Sequence, residues 1–403
     1  MHDFKGRRAK LIKLMKDNSA LLLFSGVEIK KSADGYFDFE VNRNFYYLTG
    51  LKQENSILLI TKIKGVVKEK IFTLAFDPLQ HVWTGRRYTA QEAKKIANVE
   101  SHDITAAFET YFENIKDDIK HLYLDLEPGI LTYTGKETKK FALMMTGQYG
   151  YEITDIYPEI IKLRMVKDEY EVKLIRDSIH LTALALKDAI SKIKPGMYEY
   201  EVAAAFEYGI KKHHGQLGFS TIAAGGKNGI ILHYPHLDAL LNDGDLLLLD
   251  LGGHNNMYTA DISRTVPVNG TFTDLQKKIY SVVLACNKAV IAKIKPGKTL
   301  VDLQNFTREF LKEKLIALGL MTADEEISKY YYHGVSHHLG LDTHDPGERS
   351  LPLVPGNVIT VEPGLYFAKH GIGIRVEDNV LVTDTGATNL SIEIPKEIKD
   401  LVK

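Results

Sequence analysis

The string Lys192-Ile193-Lys194-Pro195-Gly196 recurs unchanged as Lys293-Ile294-Lys295-Pro296-Gly297, 101 residues later. At the same offset Ile190 and Ile291, Val202 and Leu303, and Ile210 and Leu311 are apolar in both copies. Each copy closes an apolar helix and precedes another. Upstream of the first, Val172, Ile175, Ile179, Ala183, Leu186, Ile190 and Ile193 recur at spacings of three and four, which puts them on one helical face. The helices that follow span about residues 199–213 and 300–318. A helix ending in Pro-Gly is common by itself. Five identical residues in matched context point instead to an internal duplication. Such a chain folds as two similar α+β halves facing each other, with a site between them.

Residues 161–403 are expected to form this duplicated domain and residues 1–160 a separate one, because 403 residues exceed what one core usually holds. In the first part a helix over 5–16 precedes strand-like runs at 20–24, 56–61, 71–76 and 122–126. Helical segments lie around 90–97 and 104–119. Strands alternating with helices predict an α/β layer domain. The segment 77–87, DPLQHVWTGRR, carries the only tryptophan, Trp83, and reads as a packed surface loop. A net charge of −1 argues against a general nucleic-acid binder. The single cysteine, Cys286, excludes an internal disulfide and fits a reducing compartment. The first residues lack a signal-peptide apolar run, and the most apolar stretches, such as 246–249, are too short for a bilayer. A cytoplasmic protein is expected, with no membrane or nucleic-acid partner.

After each half's helices comes a hairpin. Residues 245–252 (DLLLLDLG) and 258–268 (YTADISRTVPV) flank Gly253-His254-Asn255-Asn256, a turn signal. A turn centred on Asn255-Asn256 places Asp250 directly opposite Asp261. Residues 357–362 (NVITVE) and 373–381 (GIRVEDNVL) flank a longer loop containing Lys369-His370-Gly371, and a turn centred there places Glu362 opposite Glu377. Carboxylates roughly 5 Å apart across neighbouring strands repel each other. They also raise one another's pKa unless something positive sits between them. Two divalent cations balance four such acids.

Before the second hairpin runs YHGVSHHLGLDTHDPGE, residues 332–348, where His333, His337, His338 and His344 crowd with Asp342 and Asp345 between glycines. Imidazole suits borderline divalent metals and carboxylate harder ones. The acids and imidazoles together predict a dinuclear centre, with manganese first and cobalt or zinc as alternatives. Cations sharing a water bring its pKa towards neutrality, which serves hydrolysis. Arg375 lies two residues before Glu377 on a strand and so shares its face. Tyr366 is placed at the cleft edge. The adjacent pair His213-His214 does not face one ligand; these two, His254 and His338 read as structural.

With these pieces in hand, the chain resembles the pita-bread metallopeptidases and, within them, the aminopeptidase P (Xaa-Pro aminopeptidase) family. The matching pieces are DLG at Asp250, YTADISRT around Asp261, HGVSHHLGLDTHD from His333, TVEPGLY around Glu362 and GIGIRVED ending at Asp378. Upstream, NRNFYYLTG at 42–50 and WTGRR at Trp83 resemble the family's N-terminal domain, so the likeness spans nearly the full length. It implies a pita-bread (creatinase/aminopeptidase-like) C-terminal fold with pseudo-twofold duplication and an activity on peptides with proline in second position. Asp261 and Glu377 would bridge two metals, with Asp250 completing one and His337 with Glu362 the other. Glu362 would also handle a proton. His333 would line the proline pocket, His344 would steady the scissile carbonyl, and His233 would be a further active-site histidine. Arg375 would meet the substrate beyond the proline. A homo-oligomer, dimer or tetramer, is also implied, with Trp83 reaching a neighbouring subunit's site.

Two other readings stand beside this one. A prolidase would use the same metals but accept only X-Pro dipeptides, and Ser336 in HGVSH resembles the aminopeptidase P pattern rather than that one. A metal-free binding protein, or a metal-independent amidinohydrolase, on the same fold would have lost ligands, whereas all five are present here. Methionine aminopeptidases generally lack the large N-terminal domain.

Overall fold

The first strand, β1 (Ser19–Phe24), is apolar on both faces and sits inside a sheet rather than at its edge. It pairs antiparallel with β2 (Ile57–Ile63), which turns at Lys64-Gly65 into β3 (Val66–Thr73). Both turn residues have positive φ, the backbone a two-residue hairpin requires. Parallel strands β4 (Ser101–Ile104), β5 (His121–Leu124) and β6 (Ile153–Asp155) complete the order β4-β3-β2-β1-β5-β6. Leu22, Leu59, Leu122 and Phe72 on one face bury against Phe108, Phe112 and Phe141 from helices Phe108–Ile115 and Tyr133–Tyr149. The computed structural model describes residues 2–127 and 133–402. They form two units, Met1–Arg164 and Met165–Lys403.

Helix Ala90–Ala97 lies where the pattern places it, whereas the first helix, Phe4–Ile12, stops short of the 5–16 expected. The 104–119 helix is shorter than its pattern, an α-helix at Phe108–Ile115 between two 3-10 turns. Segment 77–87 differs from expectation in packing. It forms a helix, Pro78–Thr84, capped by Asp77, with no buried residue, and Trp83 is 83% exposed. Phe76, Leu79 and Val82 are exposed beside it.

In the second unit the duplication is visible in backbone detail. Helices Glu169–Lys192 and Asp274–Lys293 both end at the repeated string, and Ile193 and Ile294 each bond back to the residue three before, at 3.2 Å. Gly196 and Gly297 both take φ +88°, where a side chain would be strained. Their amides donate to Leu241 O at 2.8 Å and Leu353 O at 2.9 Å, which anchors each half's hairpin to the end of its helix. Leu241 and Leu353, like Asp250 and Glu362, are 112 residues apart. The two halves therefore place Asp250 and Glu362 equivalently. In the second half the histidine stretch lies between the second helix, Leu300–Ala317, and the hairpin, and bonds along the hairpin's first strand as Ile222–Gly225 does in the first half, with the Thr360 amide donating to the His337 carbonyl and the Glu362 amide to the Val335 carbonyl, both at 2.9 Å.

The second hairpin adopts the expected register. Val361 faces Asp378 and Gly364 faces Arg375, which brings Glu362 opposite Glu377. The first hairpin is shifted by two. Asn255 pairs with Tyr258, so the turn is Asn256-Met257, and Asp250 faces Ser263 rather than Asp261. Asn tolerates positive φ, but Met257 at +72° is strained, by about 1–2 kcal/mol. Tertiary burial offsets this. Met257 and Tyr258 are both buried, the Tyr258 hydroxyl donates to Glu171 at 2.6 Å, and Ser178 Oγ donates to the Tyr258 carbonyl at 2.8 Å. The shift leaves Asp261 diagonal to Asp250 on the same sheet face, still within side-chain reach.

Candidate active site

The four acids sit at or beside strand ends, where side chains alternate between faces. Asp250 lies in strand Leu246–Leu251, Asp261 just before Ile262–Pro267, Glu362 just after Val358–Val361, and Glu377 between Ile372–Arg375 and Asp378–Val382. The residues two positions away on the same face fasten them. Ser263 Oγ donates to Glu377 Oε2 at 2.7 Å. Thr360 Oγ1 donates to Glu362 Oε1 at 3.3 Å and accepts the His337 amide at 3.1 Å. Asn379 clamps the Asp261 backbone, Nδ2 donating to its carbonyl at 2.6 Å and Oδ1 accepting its amide at 3.1 Å. Arg375 Nη2 donates to Asp250 Oδ2 at 2.5 Å. None of Ser263, Thr360 and Asn379 was singled out from the chain, although the period-two rule applied around each acid points to all three.

His337 joins the two hairpins. Its Nδ1 lies 3.0 Å from the His338 carbonyl and so carries the proton, which leaves Nε2 as an acceptor. That Nε2 is 3.4 Å from Asp261 Oδ2 and 3.4 Å from Glu362 Oε1. His344 packs edge-on against it, ring centres 4.3 Å apart, at the solvent-facing rim. His333 lies deeper. Its Nδ1 donates to Gly334 O at 2.8 Å, and its Nε2 takes the Tyr366 hydroxyl at 2.9 Å. Gln304 holds this turn, donating to the His333 carbonyl at 3.0 Å and accepting the Val335 amide at 2.7 Å. His233 is on an exposed loop after Gly226–Ile230, near His333 and His344, both of which burial chiefly depresses, with a smaller contribution from His233.

Two expected site residues have internal partners. All three side-chain nitrogens of Arg375, expected to meet bound peptide, are engaged inside the protein. Nε binds Ser263 Oγ at 2.8 Å, Nη1 the Tyr366 hydroxyl at 3.0 Å, and Nη2 Asp250. Opposed carboxylates need a cation, and the neighbouring strand supplies one at this point. Tyr366, placed at the cleft edge from its spacing, is instead buried and links Arg375 to His333.

Electrostatically the cluster is under stress. Burial first, then the charges of Asp250 and Glu362, raise Asp261 well above the usual carboxylate range. Burial and then Asp261 do the same to Glu377. Burial also raises Glu362, against the opposing pull of His337 and Arg375. Burial and the Arg375 charge push His333 down to about 3, which keeps it neutral. Two buried oxygens, Asp250 Oδ1 and Glu377 Oε1, have no hydrogen-bond partner, an expensive arrangement for anionic acceptors.

Those features fit divalent cations. Ligand atoms of Asp250, Asp261 and Glu377 lie within 4.8 Å of one another, as do those of His337, Glu362 and Glu377, and those of Asp261, His337 and His344. The first two groups share Glu377 and together contain all five residues expected to hold metal. Asp250 and Glu377, the two residues with an unpartnered oxygen, both belong to the first. Carboxylate with imidazole and no thiolate suits a hard or borderline metal.

Residues 173–384 match the model of metallopeptidase family M24, and residues 4–123 match the aminopeptidase P N-terminal domain. The chain is 34% identical to the Xaa-Pro aminopeptidase of Haemophilus influenzae over 99% of this chain and 96% of that one. It is 31% identical to the Xaa-Pro aminopeptidase of Escherichia coli, over 99% and 97%. Among solved structures, aminopeptidase P from E. coli with the inhibitor Pro-Leu superposes with a TM-score of 0.90 at 29% identity, covering 99% of this chain and 96% of that one. A Bacillus anthracis structure provisionally described as an aminopeptidase P gives a TM-score of 0.96 at 41% identity, covering 99% and 96%. The fold, the paired carboxylates and these full-length matches place this chain in metallopeptidase family M24, in the branch that carries the aminopeptidase P N-terminal domain.

Proposed function

We propose that the protein is a metal-dependent Xaa-Pro aminopeptidase, releasing the first residue of peptides that carry proline in second position. The observation that carries this reading is the pair of ligand groups sharing Glu377, with two buried oxygens left unpartnered, in a chain matched end to end by Xaa-Pro aminopeptidases. Two cations would be held by Asp250, Asp261 and Glu377 on one side and by His337, Glu362 and Glu377 on the other, with Asp261 as the second shared ligand. Manganese is the proposed metal, with cobalt or zinc able to replace it. When bound, such ions supply Lewis acidity and bring the pKa of water down towards neutrality.

The protein's own groups do the rest. Glu362, raised by burial, is a carboxylate suited to accept a proton. Thr360 occupies its Oε1, so a proton of the attacking water would be taken at Oε2 and passed to the proline nitrogen as the peptide C–N bond breaks. His344 stands at the rim where it can donate to the scissile carbonyl as negative charge develops there. His333, held neutral and fixed by Tyr366 and Gln304, presents an uncharged ring edge suited to the apolar proline ring. His233, on the exposed loop, is proposed to meet the substrate from the opposite side. Residues 1–160 are proposed to serve as the separate N-terminal domain and residues 161–403 as the catalytic one.

Self-association is proposed through the exposed apolar helix Pro78–Thr84, whose Leu79, Val82 and Trp83 would otherwise face water. Among the described residues no helix is long and apolar enough to cross a membrane. A cytoplasmic location is proposed from the single buried cysteine, which suits a reducing compartment.

The test is release of the first residue from X-Pro-X tripeptides by manganese-loaded protein, beside Asp261→Asn and His337→Ala variants. Cleavage by wild type alone is expected. Equal turnover in the variants refutes the assignment, and cleavage of X-Pro dipeptides alone makes the protein a prolidase.

A further inference from the structure

Ser263 occupies a special place in the duplicated architecture. It faces Asp250 across the first hairpin, as Glu377 faces Glu362 across the second. The two equivalent positions touch. The Glu377 amide donates to the Ser263 carbonyl at 3.0 Å, and the hydroxyl of Ser263, fully buried, donates to Glu377 Oε2 at 2.7 Å. The direction of that bond is dictated by Arg375. Its Nε–H can only donate, and it donates to Ser263 Oγ at 2.8 Å, so the single hydroxyl proton turns to the carboxylate. Glu377, a member of the ligand cluster, is thus held by one oxygen while the other, Oε1, is left buried without a hydrogen-bond partner. The same guanidinium holds Asp250 by Oδ2 and leaves its Oδ1 free in the same way.

We propose that Ser263 is a positioning residue for the metal centre, aiming Glu377 directly and Asp250 through Arg375. One hydroxyl thereby sets the orientation of an acid from each half of the duplicated domain. The inference rests on the dinuclear reading above. Partners of ligating carboxylates matter because they fix which oxygen is offered and in what direction. Their loss weakens metal binding by about 10- to 100-fold.

The experiment is calorimetric titration of Mn²⁺ into full-length protein stripped by chelator dialysis, comparing wild type, Ser263→Ala and Ser263→Thr. Ser263→Ala is expected to bind Mn²⁺ about 10- to 100-fold more weakly. Ser263→Thr, which keeps the hydroxyl on a strand that favours branched residues, is expected to stay close to wild type. Loss of a hydroxyl that served folding alone would lower the unfolding midpoint of the metal-free protein and leave the affinity untouched. Wild-type affinity in Ser263→Ala therefore overturns the proposal. If Ser263→Ala does not fold, Ser263→Cys replaces it, since it keeps volume but donates weakly, and wild-type affinity in that variant overturns the proposal equally. Failure of wild type to bind Mn²⁺ overturns the dinuclear reading itself, whereas strong binding by wild type and Ser263→Ala alike removes only the role of Ser263.

Discussion

Replacing Lys167 by methionine tests how the histidine loop is held. Lys167 Nζ lies 2.9 Å from Asp345 Oδ2, and both side chains are 1% exposed. Asp345 is also the hinge of its loop. Its amide donates to the His338 carbonyl at 2.9 Å and its Oδ1 accepts the Asp342 amide at 3.3 Å, closing the segment between His337 and His344. At 2.9 Å and an effective dielectric of about 20 the attraction is about 6 kcal/mol, most of it offset by the desolvation of two charges. Removing the lysine alone leaves the carboxylate buried without its cation, for a loss of about 3–5 kcal/mol. In a unit of this size that lowers Tm by roughly 10 °C. The double variant Lys167→Met/Asp345→Asn removes both charges while an amide oxygen still accepts from Asp342, and it is expected to recover more than half of the loss. The only tryptophan, Trp83, belongs to the other unit and is exposed, so its fluorescence is a poor reporter. Amide exchange of strand Val358–Val361, read by mass spectrometry through a urea series, follows the correct unit. A loss within about 1 kcal/mol for the single variant, or a double variant no better than the single, refutes the reasoning.

Other outcomes follow from the same geometry. Manganese at about 100 times its dissociation constant is expected to stabilise the metal-free protein by about 2.7 kcal/mol per site, measured as a thermal shift that EDTA reverses. Asp125 is raised to about 6, chiefly by burial, so its proton binds more tightly in the folded chain. Its stabilising contribution is therefore complete below about pH 4 and lost as pH rises through about 6, a swing of about 3 kcal/mol that Asp125→Asn should flatten in urea midpoints followed by exchange of β1. Gly209→Ala would place its Cβ 2.8 Å from Ala185 Cβ and 2.9 Å from Ala185 Cα, forcing helices Glu199–Lys212 and Glu169–Lys192 apart. The gain in helix propensity, about 1 kcal/mol, does not cover an overpacking cost of about 1–3 kcal/mol, so a net loss is expected by calorimetry. Trp83→Ser is expected to leave folding unchanged while reducing self-association in sedimentation velocity.

Much of this protein is written locally. The repeated Lys-Ile-Lys-Pro-Gly string announces two halves because helix stops are dictated by neighbours in sequence, and both copies cap their helices alike. The register of the second hairpin was readable for a similar reason, since strand alternation and turn position are short-range properties, and the acids it was expected to bring together do lie within reach of one another. The first hairpin was not. Its turn favoured Asn255-Asn256 by propensity, but burial of Tyr258 against Glu171, 87 residues away, moved it to Asn256-Met257. Only the folded chain shows that Arg375 holds Asp250, 125 residues distant, and that Ser263 holds Glu377, 114 residues distant. Residue types and spacings name the acids that must be neutralised. Which group meets each acid depends on contacts between segments far apart in the chain, and those are chosen by the packing of the whole unit.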